Sequence, residues 1–233
     1  MVSIEINENY SNKNLDNLKI LKNQDFWTIE NVIYRNKICK VDLLKTLLDN
    51  RNRKPQDSWV EFSKQAQKNN DFYVGDMPLY HSVFTQLYKL KDKPKTNEIR
   101  SFLNEQFRKR GLITLTRIKY RPDGFDKIVN NYNMPDEYLI EDNFIGKDEE
   151  VICSKNRINY KSLLDSDNLL EINSIYYWIT WKNVRLFRAN KKPKKEDERI
   201  AWFGGNFNGI YLNCCRFPSF NLSGLGIRIV KEK

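Results

Sequence analysis

The sequence predicts an α+β protein, and three observations carry that prediction. Apolar residues recur at helical spacing in Met77–Leu90 and Thr96–Arg110, whereas Leu112–Tyr120 alternates with a period of two. The chain has 233 residues, 40% of them hydrophobic and 13% aromatic, enough to build a sizeable core. Its last part, from Trp202 to Val230, is rich in Gly, Asn and aromatic residues and reads as strands around a long loop.

Residues 1–24 are Asn- and Lys-rich without steady periodicity, and are expected to form an extended arm. Phe26–Tyr34 reads as a strand pair or a strand with a turn. Val41–Leu48 places apolar residues at 41, 43, 44, 47 and 48 and predicts a short amphipathic helix. Asp57 or Ser58 is the expected cap of a helix from Trp59 to about Lys68. In the helix at 77–90, Pro78 suits the first turn, and Leu79, Val83, Leu87 and Leu90 share a face. Thr96 is the expected cap of the next helix, Ile99, Phe102, Leu103 and Phe107 its stripe, and Gly111 its stop.

A strand over 112–120 then leads through the turn Arg121-Pro-Asp-Gly124 to a return strand at Phe125–Val129. Residues 130–161 read as loop with short strands. Ile172–Phe187 is strongly apolar and fits a buried strand or a helix start, with alternation at Asn183–Phe187. Strands are expected again at Ile200–Phe203 and Ile227–Val230. The domain reading is an arm at 1–24, an α+β region at 25–165 that is either a support domain or the first part of one fold, and a C-terminal part at 166–233.

Net charge is +10. Residues 1–165 hold 28 basic and 24 acidic side chains, and 166–233 hold 12 and 6, with most of that excess in the loop Lys182–Arg199. The N-terminus, carrying Glu5 and Glu8, is not a secretory signal, so synthesis in a cytoplasm is expected. No run reaches the roughly 20 apolar residues of a membrane span. The four cysteines, Cys39, Cys153, Cys214 and Cys215, form no zinc pattern with the single His81, and no metal or cofactor is expected. His81 lies on an amphipathic helix and reads as structural, and no phosphate-binding glycine motif is present, so catalysis is not expected.

The segment Trp202–Val230 contains five of the nine glycines and no Lys, Glu, Gln, Asp or Met. Stiff aromatic residues among Asn, Ser and Gly are the composition of a recognition surface. Within it, Gly204-Gly205-Asn206-Phe207, then Cys215-Arg216, then Leu225-Gly226-Ile227-Arg228-Ile229-Val230 form an ordered set. That set resembles the C-terminal signature of the formylglycine-generating-enzyme branch of the C-type lectin fold: GGSW, a Cys-Arg-Ser-like stretch, and GFR followed by two apolar residues. Phe207 stands here where the signature has Trp, and Ile227 where it has Phe.

The resemblance implies a C-type-lectin-like fold completed by the C-terminal segment, with an α+β N-terminal support region. The oxidising enzymes of that branch have two cysteines separated by four residues. Cys214 and Cys215 are adjacent, so oxidase activity is not implied. The other branch comprises variable proteins of diversity-generating retroelements, whose codons are randomised at adenines. Randomised Asn codons cannot encode Lys, Glu, Gln, Met or Trp. Those types make up 54 of 233 residues, and none occurs in the 28 residues Phe203–Val230.

On this reading the chain is a receptor-recognition protein, viral or archaeal/bacterial, displayed on a virion or surface, able to act as an oligomer. Its hypervariable segment, about 206–223, would contact a macromolecular ligand such as a protein or cell-surface molecule. The ligand-contacting residues would be Phe207, Asn208, Ile210, Tyr211, Leu212, Asn213, Phe217, Ser219, Phe220, Asn221, Leu222 and Ser223. Phe207, Ile210 and Leu212 fit core packing equally well. Gly204, Gly205, Gly226, Arg216 and Arg228 would form the scaffold, Arg228 through several hydrogen bonds. The alternative is a nucleic-acid-binding protein using a winged-helix-like region at 77–129 and the basic loop 182–199. There the second helix carries Arg100, Arg108, Lys109 and Arg110.

Overall fold

In the computed structural model, residues 25–206 and 209–230 are described, and the expected arm at 1–24 lies outside them. The chain runs β1 (Phe26–Tyr34), β2 (Lys37–Leu47), β3 (Arg53–Lys54), α1 (Gln56–Lys68), α2 (Met77–Lys89), α3 (Pro94–Lys109), β4 (Leu112–Tyr120), β5 (Asp126–Asn130), β6 (Tyr138–Asp142) and β7 (Glu149–Glu150). It continues through α4 (Arg157–Leu164), α5 (Leu169–Thr180), β8 (Arg185–Phe187), β9 (Asp197–Asn206), β10 (Gly209–Arg216) and β11 (Leu222–Val230). The class is α+β.

All eleven strands belong to one mixed sheet in the order β1-β2-β11-β4-β9-β10-β8-β7. β3 pairs with the start of β11, and β5 and β6 extend from β4. The pairs β11–β4 and β10–β8 are parallel. Residues 25–165 and 166–230 therefore share one sheet, because β11 lies between β2 and β4 and β9 lies against β4.

The two sheet faces carry separate cores. On one, α2, α3 and α5 bury Phe84, Phe107 and Tyr176 around Phe203 of β9, with ring centroids 5.6–6.2 Å from it. On the other, α1 lays Trp59 and Val60 over Ile113, Leu115 and Leu222. Trp59 Nε1 donates to the Leu222 carbonyl at 2.9 Å, tying this helix to β11. Among the described residues no helix is long and apolar enough to cross a membrane.

Several expectations are corrected. The helix expected at 41–48 is part of strand β2, whose residues 41–44 are all buried. A central strand covered on both faces has no polar side, so its apolar residues mimic helical spacing. Helix α1 begins at Gln56 rather than Trp59, and its first-turn Asp57 pairs with the buried Arg117 instead of capping. Helix α3 starts two residues early at Pro94, and Thr96 is buried rather than a cap. Helix α4 begins within the stretch 130–161 read as loop and runs past its end. The run at 172–187 resolves into α5, capped by Asn168, followed by β8.

The winged-helix-like unit at 77–129 is not separate. Its strand β4 sits between β11 and β9, and α3 buries Ile99, Leu103 and Phe107 in the shared core. The segment expected as a long loop between Gly205 and Gly224 is mainly strand. β10 pairs with β9 through Ile210↔Gly205 and Leu212↔Phe203, and a turn at 217–221 leads to β11.

Candidate functional site

Two adjoining clefts open beside the end of the β9–β10 pair. One, about 230 Å³, is lined by Asn104, Phe107 and Arg108 of α3, Thr180, Trp181 and Lys182 at the end of α5, and Gly205, Asn206, Gly209 and Ile210. The other, about 560 Å³, shares Asn104, Arg108, Gly205 and Asn206 and adds Ser101, Glu105 and Lys109. Gly205 is what lets the strand come this close to α3. A Cβ there would stand 2.9 Å from the Phe107 carbonyl oxygen and 3.1 Å from that of Gly209, and both are backbone atoms that side-chain rotation cannot move.

The clefts have a mainly apolar lining with basic residues along it. Arg108, Lys109 and Lys182 are exposed cations, and the one carboxylate lining them among the described residues, Glu105, is held by Lys109 at 2.9 Å. That hydrogen bond, with the Lys109 charge, holds the Glu105 carboxyl below its ordinary range. Asn104 Oδ1 is buried without a hydrogen-bond partner among the described residues. Such an acceptor, left unmade at a cleft wall, suits an incoming donor. Trp181 is 59% exposed at the rim, with the Arg100 guanidinium 4.0 Å from its ring centroid.

The residues named from sequence divide sharply. Phe207 and Asn208 lie outside the described residues. Ile210, Leu212, Asn213, Leu222 and Ser223 are buried, so their expected display is corrected. Ile210 and Leu212 face the helix-covered core with Phe203, and Leu222 packs under α1. Tyr211 is half-buried on the opposite face of β10, its ring edge-on to Phe187 at 4.8 Å. Phe217, Ser219, Phe220 and Asn221 are exposed on the turn before β11. There Arg199 lies 3.4 Å over Phe217, and Arg216 lies 5.2 Å over Phe220.

The residues expected as scaffold take these places. The Arg228 guanidinium pairs with the buried Asp42 of β2 at 2.7 Å and lies 4.4 Å over Phe72. Gly204 lies under the Trp202 indole, and Gly226 under Leu44. Arg216, expected as scaffold, is exposed.

His81 and Cys214 are both buried. His81 is stacked on Tyr176 at 5.7 Å between centroids, and desolvation lowers its pKa to about 4. Burial pushes the Cys214 thiol far above its ordinary value, which makes it a poor nucleophile. Among the described residues no cluster of three or more His, Cys, Asp or Glu could hold a metal ion.

Asn104, Thr180 and Trp181 were not named from sequence as contact residues. One signal was available for Trp181: a Trp-Lys step ending an apolar run with no Gly to stop the helix. Comparison of the chain with protein-family models, curated proteins and solved structures found no match.

Proposed function

We propose that this chain is a binding protein whose ligand contacts the clefts beside the β9–β10 pair. One observation carries this reading. Two clefts share Asn104, Arg108, Gly205 and Asn206, and combine a buried acceptor that has no partner among the described residues with exposed cations and an exposed Trp. A few convergent polar groups in a concavity are what a ligand site needs. The test is a panel of immobilised nucleic acids, glycans and peptides probed with the full chain. Binding to a panel member should be lost in Arg108→Glu/Lys182→Glu while unfolding stability stays at the wild-type value. Equal binding by that variant to every member retained by wild type would refute the site.

A narrower reading is a variable protein of a diversity-generating retroelement on a C-type-lectin-like scaffold. The exposed turn supports it, with Phe217 and Phe220 beside Ser219 and Asn221. The absence of Lys and Glu from 203–230 supports it less, because half of the described positions there are buried and exclude those residues anyway. On this reading the ligand is lost in Phe217→Ser/Phe220→Ser rather than in the cleft variant. A near-identical downstream repeat differing from codons 203–230 chiefly at adenines, beside a reverse transcriptase gene, is the genomic expectation. A locus without the repeat would remove it.

A further inference from the structure

The clefts continue past Trp181. A third depression, about 420 Å³, is lined by Tyr88, Lys91, Tyr177, Trp178 and Trp181, with Asn173, Ser174 and Asn183 at its edge. Trp181 belongs both to it and to the 230 Å³ cleft, so the three concavities form a track from the end of α2, over α5, to the end of α3.

The aromatic residues of the track are graded in exposure. Tyr88 and Trp178 are half-buried and meet edge-on at 6.0 Å. Tyr177 is 46% exposed and meets Trp181 edge-on at 6.4 Å. Cations alternate with them. Lys91 Nζ lies 4.7 Å over Tyr88, and Arg100 lies 4.0 Å over Trp181 and 5.7 Å over Trp178. Lys182, Arg108 and Lys109 follow at the far end, and Glu105, already paired with Lys109, is the one carboxylate among the described lining residues.

Trp181 carries a second, independent signal. It caps α5 in the left-handed region, with φ +61. Glycine is the low-strain residue at such a stop, and a bulky side chain there costs backbone energy. Strain of this kind persists where a side chain has a use. The ring is then mostly exposed, so core packing does not supply that use.

We propose that this track binds single-stranded nucleic acid. Bases would stack on Trp181 and Tyr177, and Lys91, Lys182 and Arg108 would meet the phosphates. The chemistry selects this occupant. A duplex keeps its base faces to itself and leaves the rings without partners. An acidic peptide uses the cations but not the strained indole, and a neutral glycan uses the rings but not the cations. Stacking on aromatic side chains along a basic groove accepts many sequences. The assignment rests on the binding-protein reading above and narrows it.

The experiment is fluorescence anisotropy of the full chain with a labelled 15-nucleotide single strand, its duplex, a poly-glutamate peptide and a sulfated oligosaccharide. Single strand should bind tightest. With about three phosphate contacts, affinity should fall roughly twentyfold between 50 and 200 mM salt. Trp181→Gly should weaken single-strand binding by roughly tenfold to a hundredfold, the loss of one stacked base. The same variant should hold or raise unfolding stability, because it relieves the left-handed residue. Duplex or peptide binding as tight as single strand, unchanged binding by Trp181→Gly, or no single-strand binding at 50 mM salt would each overturn the assignment. If the sulfated sugar or another panel ligand still binds and is lost in Arg108→Glu/Lys182→Glu, the binding-protein reading stands without this one. If nothing binds at the track, both fall.

Discussion

Removing the Arg228 side chain tests how the last described strand is held. Asp42 is only 4% exposed, and it has two partners: Arg228 Nη2 at 2.7 Å and the Thr28 hydroxyl, which donates at 2.8 Å. In Arg228→Ala the carboxylate keeps the hydroxyl alone. Stranding one partner of a buried pair costs about 3–5 kcal/mol. The Arg228 side chain is 24% exposed, so solvent screens part of this and the lower end applies, about 3 kcal/mol. Loss of the guanidinium from the Phe72 ring adds about 0.5 kcal/mol. For a chain of this size the sum lowers Tm by about 10 °C. The double variant Asp42→Leu/Arg228→Met removes both charges and should lose less than Arg228→Ala alone. Urea and thermal unfolding of all three proteins decide it. A loss below about 1 kcal/mol in Arg228→Ala, or a double variant worse than the single, would refute the reasoning.

Other outcomes follow from the same structure. Leu212→Ala, in the core, should cost about 2–5 kcal/mol, whereas Phe217→Ala on the exposed turn should cost under about 0.5 kcal/mol, as read by chemical unfolding. Gly205→Ala should cost about 1–3 kcal/mol and widen the clefts, because α3 must retreat from the new methyl; an unchanged unfolding midpoint would contradict this. Asp76 and His81 give opposite pH slopes. Burial raises the Asp76 carboxyl to about 6 against hydrogen bonds from the Leu79 N–H and the Tyr34 hydroxyl, so its contribution is present below about 4 and lost as pH rises through 6. His81, lowered to about 4 by burial, destabilises the fold as pH falls from 6.5 through 4. Each is worth about 3 kcal/mol, and they act in opposite directions. Urea unfolding between pH 3 and 7 should therefore show stability rising with pH in Asp76→Asn and falling in His81→Gln, relative to wild type.

What the sequence revealed depended on contrast between faces. Helix α3 has one buried and one exposed side, α2 keeps a fully buried stripe at helical spacing, and Pro78 and Gly111 mark their ends, so both were legible to within a few residues. β2 and β10 carry runs of buried residues on both faces, and that removes the alternation by which a strand is known. β2 consequently read as a helix, and β10 read as a displayed loop. The composition of 203–230 was real but ambiguous, since burial and recognition both exclude Lys and Glu. Position in the sheet separates them: Leu212 faces the core and Phe217 does not. The clefts themselves were not legible, because Asn104, Trp181 and Gly205 come together only when α3, α5 and β9 meet.

The place of β11 between β2 and β4 has a consequence for biogenesis. The Asp42–Arg228 pair closes a separation of 186 residues, and neither neighbour of β11 is joined to the other. A ribosome that has made everything up to residue 221 has supplied two half-sheets, each with an open edge. Such edges invite pairing with other chains, and closures of this span are slow. The nascent protein should therefore depend on chaperones until 222–230 emerges. Truncation before Leu222 should give aggregation rather than a smaller folded product.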